Sequence, residues 1–147
     1  AHRILKGPKK SHIHGTNSFM VYWPDHDVFL GIAHFHRPHD RNKNPYARFG
    51  HHYTHAFYAV SSSAPFALKA LSAEWVLPAT SKPNDAEIIQ FASGLEIEGE
   101  ELIIAYGIND CESGLVRVQA KDVWEILKPA QPGQQVIDMM KPLKTKS

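Results

Sequence analysis

The chain has 147 residues, 43% hydrophobic and 21% charged, enough apolar content for one domain with a packed core and unlike a disordered or fibrous composition. Lys and Arg number 16 against 15 acidic residues, and a net charge of +1 supplies no field that would draw nucleic acid or an anionic membrane. No run of about 18 apolar residues marks a membrane span and no basic n-region with an apolar h-region opens the chain; Cys111, the sole cysteine, excludes an internal disulfide and a cysteine-only zinc site.

The first seventeen residues are polar and lack a period, so positions 1–14, like 129–147, are expected to be tails around one β domain. Ser18 to Trp23 and Val28 to Phe35 are rich in aromatic and β-branched residues and predict paired strands, with Pro24-Asp25-His26-Asp27 as the turn between them. Arg37 to Gly50 is a charged, Pro- and Asn-containing loop. His52 to Ser61 predicts a strand, Ser62-Ser63-Ala64-Pro65 a turn, and Phe66 to Leu77 one or two short extended pieces before the loop Pro78 to Asp85.

The pattern then tightens. Glu87 to Ala92 predicts a strand, Ser93-Gly94 a bulge, Leu95 to Glu98 a strictly alternating strand, and Gly99-Glu100 a turn directly into Leu102 to Tyr106. Gly114 to Val118 predicts the next strand. Ala120 to Leu127, with Val123, Ile126 and Leu127 at helical spacing, predicts one short helix ended by Pro129. Some eight short strands with turns between them indicate an all-β fold, a sandwich, barrel or propeller. Val28 to His34 followed by His55 to Ser61 echoes Glu101 to Asp110 followed by Gly114 to Gln119, and repetition of one sheet unit favours the propeller.

Two groups of residues carry candidate chemistry. Six of the ten histidines, His34, His36, His39, His51, His52 and His55, fall within 22 positions. His34 and His36 share a strand face because the side-chain period is two. With a third ligand such a pair binds zinc or another divalent ion; the plainer expectation is that these imidazoles cap, stack and hydrogen-bond, and no metal is assigned. Arg37 is either an anion ligand or a solvated loop residue. The second group is the turn Gly107 to Glu112, where Asp110 and Glu112 either cap a tight turn beside Asn109 or present a pair of carboxylates for acid-base work. Cys111 is expected as a packed thiol, and Trp23, Tyr53, Phe57 and Trp75 as core aromatics.

The order of segments resembles the C-terminal half of five-bladed β-propeller glycoside hydrolases and phosphorylases, especially the family 130 mannoside phosphorylases and hydrolases. Gly15-Thr16-Asn17-Ser18 before Val28 to His34 stands where the family has GTPP and then LLxYHGV. His55 to Val60, Pro65-Phe66 and Ala73 to Leu77 take the places of its following strand, DLxDP and EPIL. Ile88 to Leu127 follows the order of its last blade, with Tyr106-Gly107-Ile108-Asn109-Asp110 in the place of YGAAD.

The resemblance implies a partial five-bladed propeller with one short C-terminal helix, acting in glycosidic bond hydrolysis or phosphorolysis. It implies a carbohydrate partner, phosphate as a co-substrate and no other cofactor. His34 then contacts phosphate or sugar, Asp110 accepts sugar hydroxyls, and His36, Arg37, His55, Tyr106 and Asn109 extend the binding rim. The family's catalytic acid lies in earlier blades with no counterpart here, so the remaining blades are expected elsewhere in a parent chain or in a partner chain. The alternatives are a non-catalytic carbohydrate-binding or assembly module, including a homo-oligomer, and a His-dependent metal-binding protein.

Overall fold

The structure, a computed structural model, describes residues 13–17, 20–36, 53–77 and 89–129. Within them the chain is all-β with one short helix, as the strand spacing predicts. Strands β1 (Ile13–Thr16), β2 (Val21–Trp23), β3 (Val28–His36), β4 (Tyr53–Ser61), β5 (Leu68–Ser72) and β9 (Leu127–Pro129) form one sheet in the order β1-β3-β4-β5-β9, with β2 also on β3. Strands β6 (Gln90–Glu98), β7 (Glu101–Ile108) and β8 (Glu112–Gln119) form a second, and every pairing in both sheets is antiparallel.

The pairing explains why these residues became strands. Val28, Leu30 and Ile32 alternate onto one face of β3, and Phe57 and Ala59 of β4 lie in register with Ile32 and Leu30. These pack against Leu102, Ile104, Tyr106 and Ile108, the matching alternation of β7, in a single core cluster. Burial of side chains of this size contributes roughly 1.5–3 kcal/mol each, so the two alternating faces are the main force holding the sheets together. The short helix α1 (Ala120–Ile126) closes one end of the core with Ala120 and Val123, and Trp124 stacks on His26 at a ring separation of 3.5 Å.

Three expectations are corrected. The polar N-terminal stretch is not wholly a tail: β1 begins at Ile13, its backbone pairing with Phe35, His34 and Ala33 of β3. Helix α1 ends at Ile126, one residue short of the expected Ala120 to Leu127, and Pro129 belongs to a strand and not to a tail, because residues 127–129 turn extended and pair with Ser72, Leu71 and Ala70. Cys111 is exposed, not packed, since it lies in the three-residue turn between β7 and β8 and its thiol donates to the Asn109 carbonyl. The bulge expected at Ser93-Gly94 is present as a register shift between Ala92 and Gly94. Both halves of the internal echo are antiparallel pairs, β3 with β4 and β7 with β8.

Each echo carries the same packing device. Gly31 faces Tyr58 across β3 and β4, and Gly114 faces Tyr106 across β7 and β8. A Cβ on Gly31 would fall 2.4 Å from Tyr58 Cζ, and one on Gly114 would fall 2.7 Å from Tyr106 Cζ. In each pair the tyrosine ring fills the space a side chain would need.

Candidate functional site

The register of β3 and β4 sets the site. His34 is opposite His55 and His36 is opposite Tyr53, so all four side chains stand on the face that farther along carries Ile32 and Phe57. His55 exchanges both of its backbone hydrogen bonds with Trp75 (2.8 and 2.7 Å). His34 and His55 therefore form a non-hydrogen-bonded pair, the kind that brings opposing side chains closest. At this end of the sheet the inward alternation changes from aliphatic to imidazole and phenol.

The second sheet meets this face through its edge. Ala92 of β6 is fully buried, and its N–H and C=O point away from β7, where an edge strand would ordinarily meet water. The N–H donates to Nε2 of His55 at 3.1 Å, and the C=O accepts from Nδ2 of Asn17 at 2.7 Å. Asn17 is held in place in turn. It follows β1, donates its own N–H to the Ile32 carbonyl at 2.7 Å, and turns a buried side chain inward. Its Oδ1 lies 2.6 Å from Nδ1 of His34. Two side chains of the first sheet thus satisfy the free edge of the second.

Around this junction the rings form a cluster. Phe91 of β6 packs edge-on against His34 (5.0 Å) and Tyr53 (5.7 Å), while Tyr53 also meets His36 (5.4 Å). His55 is fully buried and stacked on Trp75 at 5.1 Å, whereas His34 and Tyr53 are half-buried and His36 is exposed. The cluster therefore grades from the buried imidazole of His55 to the exposed side chain of His36.

The turn between β7 and β8 lies at the same end of the molecule, because Phe91 pairs with Gly107 two positions before it. Asn109 and Asp110 both adopt left-handed backbone (φ of 50° and 59°), a conformation Asn and Asp tolerate better than most residues. The Asn109 amide oxygen accepts from the Ile89 N–H at 3.0 Å, and the Asn109 N–H donates to the Ile89 carbonyl at 2.7 Å. Asn109 thereby anchors the start of β6 to the turn, and Asp110 is exposed beside it. Tyr106 is buried in the core with its ring over Gly114.

His34, His36 and His55 are thus brought into one cluster, Asn109 and Asp110 stand on a neighbouring turn, Tyr106 lies in the core, and Arg37 lies outside the described residues together with His39, His51 and His52. Trp23, Phe57 and Trp75 are buried as expected of core aromatics, and Tyr53 belongs to the cluster. Nothing in the sequence pattern assigns a role to Asn17, Phe91 or Ala92. The only signal for Asn17 is a polar residue interrupting an extended segment, and nothing marks Ala92, which contributes backbone alone.

Among the described residues no group of three His, Cys, Asp or Glu side chains is placed to hold a metal ion, and no helix is long and apolar enough to cross a membrane. A separate cleft of about 540 Å³ opens between the sheets near α1, lined by Phe57, Trp75, Val116, Val118, Val123 and Ile126. Its lining is mainly apolar, with Arg117, Gln119 and Asp122 as its polar members, and contains none of the residues singled out for chemistry.

Fold and cluster together define an all-β protein whose described residues form two antiparallel sheets with an imidazole-rich, aromatic-lined end. No family model, no curated protein and no solved structure matches the chain.

Proposed function

We propose that the chain is a carbohydrate-binding segment of a propeller-type glycoside hydrolase or phosphorylase, similar to the family 130 mannoside enzymes, with the sugar received at the His34, His36, Tyr53 and Phe91 end. The observation that carries this reading is the clustering of the half-buried rings of Tyr53 and Phe91 with the imidazoles of His34 and His36, at the end of the molecule that also carries the turn with the exposed Asp110. Sugar sites combine ring faces, which meet the C–H surfaces of a pyranose, with a few directed polar groups that meet its hydroxyls. Further support comes from the winding of β3-β4-β5 and of β6-β7-β8, in which neighbours in sequence are neighbours in the sheet, as in a propeller blade.

In this reading the chain supplies binding, and the acid that protonates the leaving oxygen comes from blades outside the 147 residues. His34 and Asp110 contact the sugar, His36 and Tyr53 form its rim, and His55 and Asn109 hold the frame. Isothermal titration with methyl mannosides and manno-oligosaccharides tests it. Saturable binding that His34→Ala and Tyr53→Ala each weaken at least tenfold is expected, and binding unaffected by both substitutions refutes the assignment.

A second reading, a non-catalytic assembly module, draws on β8. It is the outer strand of its sheet, no described strand pairs with its free edge, and it carries Leu115 at 73% exposure. Sedimentation over a range of concentrations distinguishes the two: association lost on Leu115→Lys supports assembly, and a monomer at all concentrations excludes it.

A further inference from the structure

We infer that Asn17 is a positioning residue that fixes the tautomer of His34, placing the proton on Nδ1 and making Nε2 a hydrogen-bond acceptor. This role deepens the sugar-binding reading of the site and rests on it only for the nature of the ligand.

Three atoms have hydrogen-bonding roles that chemistry fixes. The Ala92 carbonyl has lone pairs and no hydrogen, so the Asn17 group 2.7 Å from it must be the NH2. That settles the amide orientation and leaves Oδ1 as the atom 2.6 Å from His34 Nδ1. An amide oxygen only accepts, so Nδ1 must carry the hydrogen. In the neutral ring the lone pair is then on Nε2. The same reasoning applied to the donor-only Ala92 N–H puts the lone pair of His55 on its Nε2 and its hydrogen on Nδ1. One backbone residue of an edge strand thereby orders both imidazoles, His55 directly and His34 through Asn17.

Asn17 is suited to this as a threonine or serine would not be. A hydroxyl rotates and can donate to either neighbour, whereas the amide presents a donor and an acceptor at two fixed positions in one rigid plane. Its side chain is buried, and its backbone is tied to Ile32, so the amide has little freedom to turn over.

The consequence is a restriction on ligands. Neutral His34 meets a hydroxyl hydrogen at Nε2 favourably and an anionic oxygen unfavourably. A hydroxyl hydrogen, whether of a sugar or of a protonated phosphate oxygen, is therefore the complement of this nitrogen in the neutral ring, whereas an unprotonated phosphate oxygen is met only by the doubly protonated ring.

Long-range proton–nitrogen correlation NMR of the imidazoles in the 147-residue chain, without ligand, tests the assignment. A lone-pair-type nitrogen signal at Nε2 of His34 is expected; a protonated Nε2 in the neutral ring, or an averaged pair of tautomers, overturns it. In Asn17→Ala the preference is expected to be lost. Should that variant not fold, Asn17→Asp serves: its carboxylate favours the imidazolium and should hold His34 doubly protonated to higher pH than in the native chain. An unchanged His34 spectrum in a folded variant overturns the role of Asn17. Adding inorganic phosphate to the native chain, with His34 neutral, should leave Nε2 as the lone-pair nitrogen; binding that moves the ring hydrogen from Nδ1 to Nε2 contradicts the inference. None of these readouts needs a bound sugar, so failure of mannoside binding leaves the tautomer result standing.

Discussion

Single residues at the junction do more than fill space. His55 packs against Trp75 and also accepts the Ala92 N–H, and the two contributions are separable. His55→Phe keeps an aromatic ring beside Trp75 but leaves a buried donor without an acceptor. An unmet group of this kind costs about 1–3 kcal/mol, and urea denaturation should show a loss in that range; a loss below the error of the measurement would mean that the bond contributes nothing. Tyr58 gives a test in pH. Burial raises its phenol pKa above the ordinary value, against a smaller lowering from the Thr16 hydroxyl. A raised value in the folded state favours the neutral phenol, so its contribution is complete below pH about 10 and is lost as pH climbs through the raised value. Tyr58→Phe should therefore flatten the alkaline fall in stability, which denaturation midpoints measured on either side of pH about 10 will show. Equal slopes in the two proteins would exclude the effect.

The elements show where periodicity suffices and where it does not. Strands β3, β4, β7 and β8 are legible in the sequence because alternation of apolar residues coincides with burial on one face. The Ser93-Gly94 break is legible because a glycine inside an alternating run marks a bulge or a close backbone approach. β1 and β9 are not legible. They take their extended form from the strands they pair with, and no local pattern distinguishes His14 or Lys128 from loop residues. The facing glycine and tyrosine pairs give a prediction at this scale. A methyl group on Gly114 collides with Tyr106, which is buried and cannot yield, whereas one on Gly31 collides with Tyr58, which is half-buried and can. Overpacking costs roughly 1–3 kcal/mol, so Gly114→Ala should lie at the upper end and Gly31→Ala at the lower. Thermal denaturation with the order reversed would show that the rings are not held as described.

The described residues form two sheets that share one apolar core and are also joined by hydrogen bonds at Ala92. That contact accounts for much of what composition and spacing leave hidden. They bring out the histidines, and alternation correctly puts His34 and His36 on one face, but the decisive partner is a backbone edge whose direction depends on a bulge and on the packing of two sheets. Likewise the turn at Asn109 is visible as polar, while its hold on Ile89 requires the start of β6 to pass beside it. Taken as a whole, the molecule is proposed to receive a sugar at its imidazole and aromatic end. Nitrogen-15 chemical-shift mapping of the labelled chain during titration with methyl mannoside puts that proposal to the test without any substitution. Saturable shifts concentrated at His34, His36, Tyr53, Phe91 and Asp110 are expected; the absence of shifts, or shifts confined to the cleft beside α1, would contradict it.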